Sequence, residues 1–233
     1  MKKELIKVPK HLGLIIDGNG RWAKAKGLTR SMGHKAGFSN LERIVKECFY
    51  KYGIQSVSVY CFSTENWNRP EKEVDYLRKL FKKMVDGDME KKYPEVRINF
   101  MGDFGKFGDD IQKKGSALME RTKKNTKFTL NLGINYSGQD ELVKAVNDII
   151  SEGIKEVDRE TIANHLYTAG QAPLDLLIRT SGEYRLSNFM LWQVAYAELY
   201  FPSCHWPAFS KKHLKEALYE FQGRDRRFGA IKE

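Results

Sequence analysis

Asp17 closes an apolar run and opens a glycine-rich turn, in His11-Leu12-Gly13-Leu14-Ile15-Ile16-Asp17-Gly18-Asn19-Gly20-Arg21-Trp22. An apolar run of strand length bounded by turn residues reads as a buried strand. Asp17 then falls at the strand's C-terminal tip, where open α/β sheets place their ligands. Gly18 and Gly20 let backbone N–H groups turn toward an anion, and Arg21 offers a guanidinium fork suited to phosphate oxygens. A carboxylate beside phosphate-binding donors suits a divalent metal held between protein and phosphate. Two more polar clusters follow apolar runs: Ser63-Thr64-Glu65-Asn66-Trp67-Asn68-Arg69-Pro70, and Arg179-Thr180-Ser181-Gly182-Glu183-Tyr184-Arg185. One polar cluster after a strand says little, because loops are polar. Three of them predict a crevice along one sheet edge.

The elements that must position these residues follow from periodicity. Strands are expected up to Ile16 and over Ser56–Ser63, Arg97–Gly102, Phe128–Tyr136 and Leu174–Ile178, with a last short one at Glu198–Phe201. Helical spacing covers Ala36–Tyr52, Glu71–Tyr93 and Asp109–Asn125, then a helix bearing Leu142, Val143, Val146, Ile149 and Ile150. A shorter helix is expected over Thr161–Tyr167, a buried one over Asn188–Tyr196, and a last from about Lys211 to Phe221. Arg30-Ser31-Met32-Gly33-His34-Lys35 reads as a basic loop, in which His34 suits phosphate binding and a structural role equally. Strands alternating with helices imply βαβ units and a mostly parallel sheet of about six strands surrounded by helices. No linker, repeat or low-complexity segment divides the chain, so residues 1–233 are expected to form one α/β domain.

The net charge of +10 points to acidic partners: nucleic acid, anionic lipid or phosphorylated substrates. Three cysteines, Cys48, Cys61 and Cys204, are odd in number and widely spaced, which speaks against a disulfide framework and a zinc site. Charges in Met1–Lys7 stand where a signal peptide needs apolar residues, and no apolar run reaches the ~18 residues of a membrane span. A soluble, cytoplasmic protein is expected. Gly18-x-Gly20-x-x-Ala23 fits the dinucleotide fingerprint only superficially, since the next strand tip lies too far on for the ribose-binding acid. P-loop, H-E-x-x-H, G-x-S-x-G and C-x-x-C motifs are absent, and so is the D-D-x-x-D of helical prenyl synthases. Asp109-Asp110 reads as a helix-start acid pair. His11, His165, His205 and His213 read as structural or surface residues.

Five blocks resemble the cis-prenyltransferases, above all the bacterial undecaprenyl diphosphate synthases. They are D-G-N-G-R-W-A at 17–23, G-H-K-A-G at 33–37, F-S-T-E-N-W-N-R-P at 62–70, I-R-T-S-G-E-Y-R-L-S-N-F at 178–189 and W-Q-V-A-Y-A-E-L-Y-F at 192–201. The resemblance implies head-to-tail condensation of isopentenyl diphosphate onto an allylic diphosphate, commonly farnesyl diphosphate, each cycle adding a cis double bond. It also implies Mg²⁺, a homodimer and a hydrophobic tunnel for the growing chain, with undecaprenyl diphosphate as the expected product.

By that likeness Asp17 is the central catalytic carboxylate and binds Mg²⁺, with Glu198 a second metal-contacting carboxylate. Gly18, Asn19, Gly20, Arg21, Trp22, Arg30 and His34 hold the allylic diphosphate. Ser63, Thr64, Glu65, Asn66, Trp67 and Arg69 orient substrates and assist proton removal, Ser63 and Asn66 being the catalytic members. Arg179, Arg185, Leu186 and Ser187 form the isopentenyl diphosphate pocket. Arg227-Phe228-Gly229, in the basic tail 222–233, is expected to reach the partner subunit's site at the dimer interface. Tyr184 stands where close bacterial relatives often carry histidine, a departure that bears on metal contact from that position. Ser181 stands where some members have glycine.

The residues support this chemistry independently. Loss of diphosphate from an allylic carbon needs preorganised positive charge, and the cation needs a dry apolar neighbourhood, which Phe62, Trp67 and the Val74/Leu77/Phe81/Met84 stripe could supply. That stripe fits core packing as well as a cavity wall. The proton acceptor is Asn66, Ser63 or the diphosphate itself. Product length depends on tunnel volume, and a small residue at Cys61 is compatible with a long chain. An oily product is compatible with peripheral contact with the inner face of the plasma membrane, which the sequence leaves open. Two other readings compete. A non-catalytic prenyltransferase-like subunit has no use for intact Asp17, Arg21, Arg179 and Glu198. A nucleic-acid-binding protein would rest on charge alone, without an RNP-type module.

Overall fold

The computed structural model describes residues 7–224; the expected contact of Arg227-Phe228-Gly229 lies outside the described residues. Six strands form a sheet in the order β3-β4-β2-β1-β5-β6: β1 His11–Ile15, β2 Ser56–Ser63, β3 Val96–Met101, β4 Phe128–Tyr136, β5 Leu176–Arg179 and β6 Glu198–Tyr200. The pairings β1/β5, β5/β6 and β3/β4 are all parallel. The described residues form two compact units, one of residues 7–57, 173–185 and 193–224, the other of 58–172 and 186–192. The chain passes between the units four times, at 57/58, 172/173, 185/186 and 192/193, and none of these boundaries shows in the sequence as a linker.

In the first unit, β1, β5 and β6 carry α1 (Asn19–Ala25), α2 (Arg30–Lys46) and α8 (Lys211–Gly223). β1 is buried at every residue, as a strand covered on both faces must be. Its core joins Leu12 and Leu14 to Ile44, Phe49, Leu177, Trp206, Phe209 and Leu218, all essentially inaccessible. Two departures from the sequence reading occur here. The Arg30–Lys35 stretch is no loop but the opening of α2, begun by Thr29, whose side chain accepts from the Met32 N–H. The turn after Asp17 likewise winds into α1.

In the second unit, β3 and β4 run in register from Val96 opposite Phe128 to Met101 opposite Gly133. Around them lie α3 (Glu71–Asp86), α4 (Met89–Lys92), α5 (Asp109–Thr122), α6 (Gly138–Ser151) and α7 (Arg159–His165). The Val74/Leu77/Phe81/Met84 stripe of α3 is buried, and Phe81 meets Phe62 and Phe107 edge-on at 6.3 and 5.0 Å between centroids. The helix expected to run to Tyr93 ends at Asp86, because Gly87 takes an extended conformation.

Two further expectations are corrected. Asn188–Tyr196 is not a buried helix: Ser187, Asn188 and Met190 all have positive φ, which no right-handed helix accommodates. Only Phe189 and Met190 of that segment are buried, and a short 3₁₀ turn at Gln193–Tyr196 follows. On α6, Val143, Val146 and Ile150 face outward rather than into the core, with Ala145 and Ile149 on the buried side.

Candidate active site

Asp17 lies two residues beyond β1, half-buried, with its carboxylate between two guanidinium groups. Oδ1 is 3.1 Å from Arg21 and Oδ2 is 3.1 Å from Arg179. The register explains the second contact: Arg179 closes β5 directly opposite Ile15. The two arginines differ in exposure, Arg179 being 4% and Arg21 45% accessible at the side chain. A buried guanidinium needs its compensating carboxylate, so Arg179 is a fixed part of the site and Arg21 the adaptable one. Arg179 also donates to the Arg185 carbonyl at 2.5 Å, tying the strand end to the loop that follows.

The backbone at Asp17 is held as firmly. Its carbonyl accepts from Thr180 Oγ1 at 2.7 Å, Ser181 Oγ at 2.9 Å and the Trp206 N–H at 2.9 Å. Gly18 follows with φ +101°, and a Cβ there would come within 2.0 Å of Ser181 Oγ. No other residue satisfies both conditions. A Cβ on Gly33 would fall 2.2 Å from the Asn19 carbonyl, so α2 packs on α1 through bare backbone. Arg30 lies over Gly20, with its Nε 3.3 Å from where a Cβ would stand. His34 is buried within α2, and Trp22 on α1 carries Lys26 Nζ 5.3 Å from its ring centroid.

Two neighbours of this site escaped the sequence reading. Glu183 pairs with both Arg21 and Arg185 at 2.5 Å, and hydrogen bonds from Arg185 and then Arg21 hold its carboxyl below the usual range. His205 Nδ1 is 2.9 Å from Ser181 Oγ. An acid inside an arginine-rich block was the available signal for Glu183; His205, 24 residues from Ser181 in sequence, offered none. Glu198 is not beside Asp17 in the same chain. It opens β6 level with Leu176, which is level with Leu12, five residues before Asp17 and thus about 16 Å away along the strand. There it pairs with Arg224 at 3.0 Å.

In the second unit, β2 ends at Ser63, where a 3₁₀ turn over Thr64–Asn68 begins. Ser63 and Asn66 form a reciprocal capping box: the Ser63 side chain accepts from the Asn66 backbone, and Asn66 Oδ1 accepts from the Ser63 N–H at 3.2 Å. Burial pushes the Glu65 carboxyl up, but hydrogen bonds from Ser63, its own backbone, Asn188 and Thr64 outweigh that and leave it below the usual range. Trp67 donates its Nε1–H to Asn135 Oδ1 at 2.7 Å and packs against Phe62 and Phe107. Arg69 pairs with Glu73 at 3.2 Å. Leu186 is half-buried and Ser187 exposed, in the left-handed bend that precedes Asn188. Asn188 donates to Ser137 Oγ at 2.9 Å and accepts from the Gln139 N–H at 3.0 Å. Cys61 carries a thiol that burial pushes up to about 12.

Among the described residues, no group of three or more His, Cys, Asp or Glu side chains could hold a metal alone. Magnesium requires no such cage, since it is commonly bound through one or two carboxylates together with substrate phosphates and waters. A half-exposed carboxylate flanked by adaptable arginine fits that second mode.

A carboxylate set between arginines at the end of a buried strand of an α/β sheet is an arrangement suited to phosphorylated substrates. The prenyltransferase family model, which describes undecaprenyl diphosphate synthases, matches residues 15–229. The chain is 43% identical to an isoprenyl transferase of Clostridium perfringens, over 97% of this chain and 92% of that protein. It is 42% identical to the ditrans,polycis-undecaprenyl-diphosphate synthase ((2E,6E)-farnesyl-diphosphate specific) of Pasteurella multocida, over 97% of each. Among solved structures, lavandulyl diphosphate synthase from Lavandula x intermedia, in complex with dimethylallyl diphosphate, superposes with a TM-score of 0.88 at 30% identity, over 96% of this chain and 99% of that one. The chain belongs to the undecaprenyl diphosphate synthase family of cis-prenyltransferases.

Proposed function

We propose that residues 1–233 act as one catalytic domain that condenses isopentenyl diphosphate repeatedly onto farnesyl diphosphate, yielding undecaprenyl diphosphate. The observation that carries this reading is the Asp17 carboxylate, held between Arg21 and Arg179 at the end of a wholly buried strand. The farnesyl-specific description of the Pasteurella multocida relative supports the primer and product.

In this reading Gly18, Asn19, Gly20, Arg21, Trp22, Arg30 and His34 hold the allylic diphosphate. Asp17, together with that diphosphate, would hold Mg²⁺, and the metal would supply Lewis-acid stabilisation of the departing diphosphate. Arg21 is adaptable enough to follow the charge that develops on those oxygens as the allylic C–O bond breaks. Arg179, Arg185, Leu186 and Ser187 receive isopentenyl diphosphate, whose π bond attacks the allylic carbon. Thr64, Glu65, Trp67 and Arg69 position the substrates, and the aromatic cluster around Trp67 keeps water from the cation. Ser63 and Asn66 orient the proton that leaves. Their acceptor oxygens are already engaged in the capping box, which favours a diphosphate oxygen as the final acceptor.

Glu198 can share the Asp17 metal only from a second copy of the chain, which links its role to a homodimer. The outward-facing Val143/Val146/Ile150 stripe of α6 supports dimerisation. A tunnel beside α3 holds the growing chain in this scheme. No helix among the described residues is long and apolar enough to cross a membrane, and the product's hydrocarbon length favours a cytoplasmic enzyme that discharges it at the membrane's inner face.

The test is incubation with farnesyl diphosphate, labelled isopentenyl diphosphate and Mg²⁺, followed by butanol extraction and reversed-phase chromatography of the dephosphorylated products. Labelled product that disappears on chelation of the metal is expected. Absence of extractable label with metal present would refute the reading.

A further inference from the structure

Glu183 holds two guanidinium groups that the proposed mechanism assigns to different substrates. Its Oε1 is 2.5 Å from Arg21 and its Oε2 is 2.5 Å from Arg185. Neither arginine is shielded, with side-chain exposures of 45% and 59%, whereas Glu183 is 24% exposed. Arg21 divides its nitrogens between this carboxylate and Asp17. Both oxygens of Glu183 therefore lie where a phosphate group approaching either arginine would place its own. A phosphoryl oxygen and a carboxylate oxygen compete for the same fork geometry, and two anions sharing it repel each other.

We propose that Glu183 is a specificity-determining residue, an internal anion that occupies Arg21 and Arg185 until a more highly charged diphosphate displaces it. The inference rests on the functional reading above, in which these two arginines receive the substrates. Its chemistry is a competition between anions. A carboxylate carries one negative charge, a monophosphate ester up to two and a diphosphate ester up to three. A resident carboxylate thus imposes a threshold that diphosphates cross more easily than monophosphates or carboxylates do, which is discrimination against a wrong ligand by a repulsive group. Because one carboxylate holds both arginines, displacement by one diphosphate also loosens the second arginine for the other substrate. That coupling acts reciprocally between the two sites.

The direct probe is inorganic pyrophosphate, with inorganic phosphate as comparison, titrated into the full-length wild-type protein and Glu183→Gln in Mg²⁺ by calorimetry. Glutamine keeps the side chain's shape and one acceptor oxygen while removing the charge. Exposed ion pairs are individually weak, so pyrophosphate should bind roughly three- to tenfold tighter to E183Q. The preference for pyrophosphate over phosphate should narrow at the same time. In steady-state assays KM for isopentenyl diphosphate should fall, because the lost interaction belongs to the free enzyme. Weaker pyrophosphate binding in both E183Q and E183A would overturn the proposal and make Glu183 a support for the arginines. An unchanged pyrophosphate-to-phosphate ratio would overturn it too. Calorimetry needs no turnover, so an inactive wild-type protein would count against the functional reading without deciding this one.

Discussion

The two polar turns that end β1 and β2 are built from opposite materials. The turn after β1 is a contest of full charges: Asp17 and Glu183 against Arg21, Arg179 and Arg185, all within ion-pair distance. The turn after β2 is held by neutral hydrogen bonds and rings, with the Ser63–Asn66 box, the Trp67–Asn135 bond and an aromatic cluster behind it. Charges that can exchange partners suit a place where charge appears and departs during a reaction. A rigid, partly apolar turn suits a place where a substrate must be aligned and kept dry. The first turn should therefore govern rate through electrostatics, and the second through geometry and stability.

The largest effect separating the two belongs to Asp17→Asn. It keeps size and hydrogen-bonding capacity but removes the charge, and kcat should fall by about a thousandfold, with the far-ultraviolet circular dichroism unchanged. A loss below about tenfold would place the decisive chemistry elsewhere. Next in size, Gly33→Ala forces a methyl against the Asn19 carbonyl, and the urea midpoint should drop by an amount equivalent to about 1–3 kcal/mol. Trp67→Phe keeps the ring cluster but removes the indole bond to Asn135, which should cost about 1 kcal/mol in stability and leave turnover within tenfold of the parent. If W67F matched D17N in its effect on kcat, the division between the two turns would be wrong.

The smallest effect is one of pH. The Glu65 carboxyl is held below its ordinary value of 4.5, because hydrogen bonds from Ser63, its own backbone, Asn188 and Thr64 outweigh the opposing effect of burial. A carboxyl whose folded pKa is depressed adds stability that is fully present above the unfolded value and is lost as pH falls through the folded value. Wild type and Glu65→Gln should therefore differ by a constant amount in urea midpoint from pH 7 down to about 5. The gap should close only below 4.5. A gap that closes between pH 7 and 5 would contradict the hydrogen bonding described here.

Much of this was legible in the sequence, for physical reasons that differ by region. β1 and β2 announce themselves because they are rich in aliphatic, β-branched and aromatic residues, and the turn-forming polar stretches that follow, opening at Asp17 and Ser63, mark their tips. The start of α2 was hidden because glycine and histidine at 33 and 34 look like loop residues, and only tertiary packing of Gly33 on Asn19 explains the glycine. Asn188–Tyr196 reads as a helix, yet Asn188 and Met190 lie in the left-handed region there, and Asn188 is held by Ser137 and Gln139, 49 to 51 residues away. The outward stripe of α6 has the composition of a core face, and sequence cannot tell an apolar face that meets the sheet from one that faces outward. Glu183 was passed over because an acid among arginines reads as a surface neutraliser until its two contacts are measured.

The central claim is that Asp17 acts while the allylic C–O bond breaks, not merely in binding. Single-turnover kinetics test it most directly, with farnesyl diphosphate prebound to wild type or Asp17→Asn in Mg²⁺ and labelled isopentenyl diphosphate added in excess. The rate of the first condensation should fall by about a thousandfold in D17N while farnesyl diphosphate affinity changes by less than about tenfold. A first-condensation rate close to wild type, or a defect confined to affinity, would contradict the account.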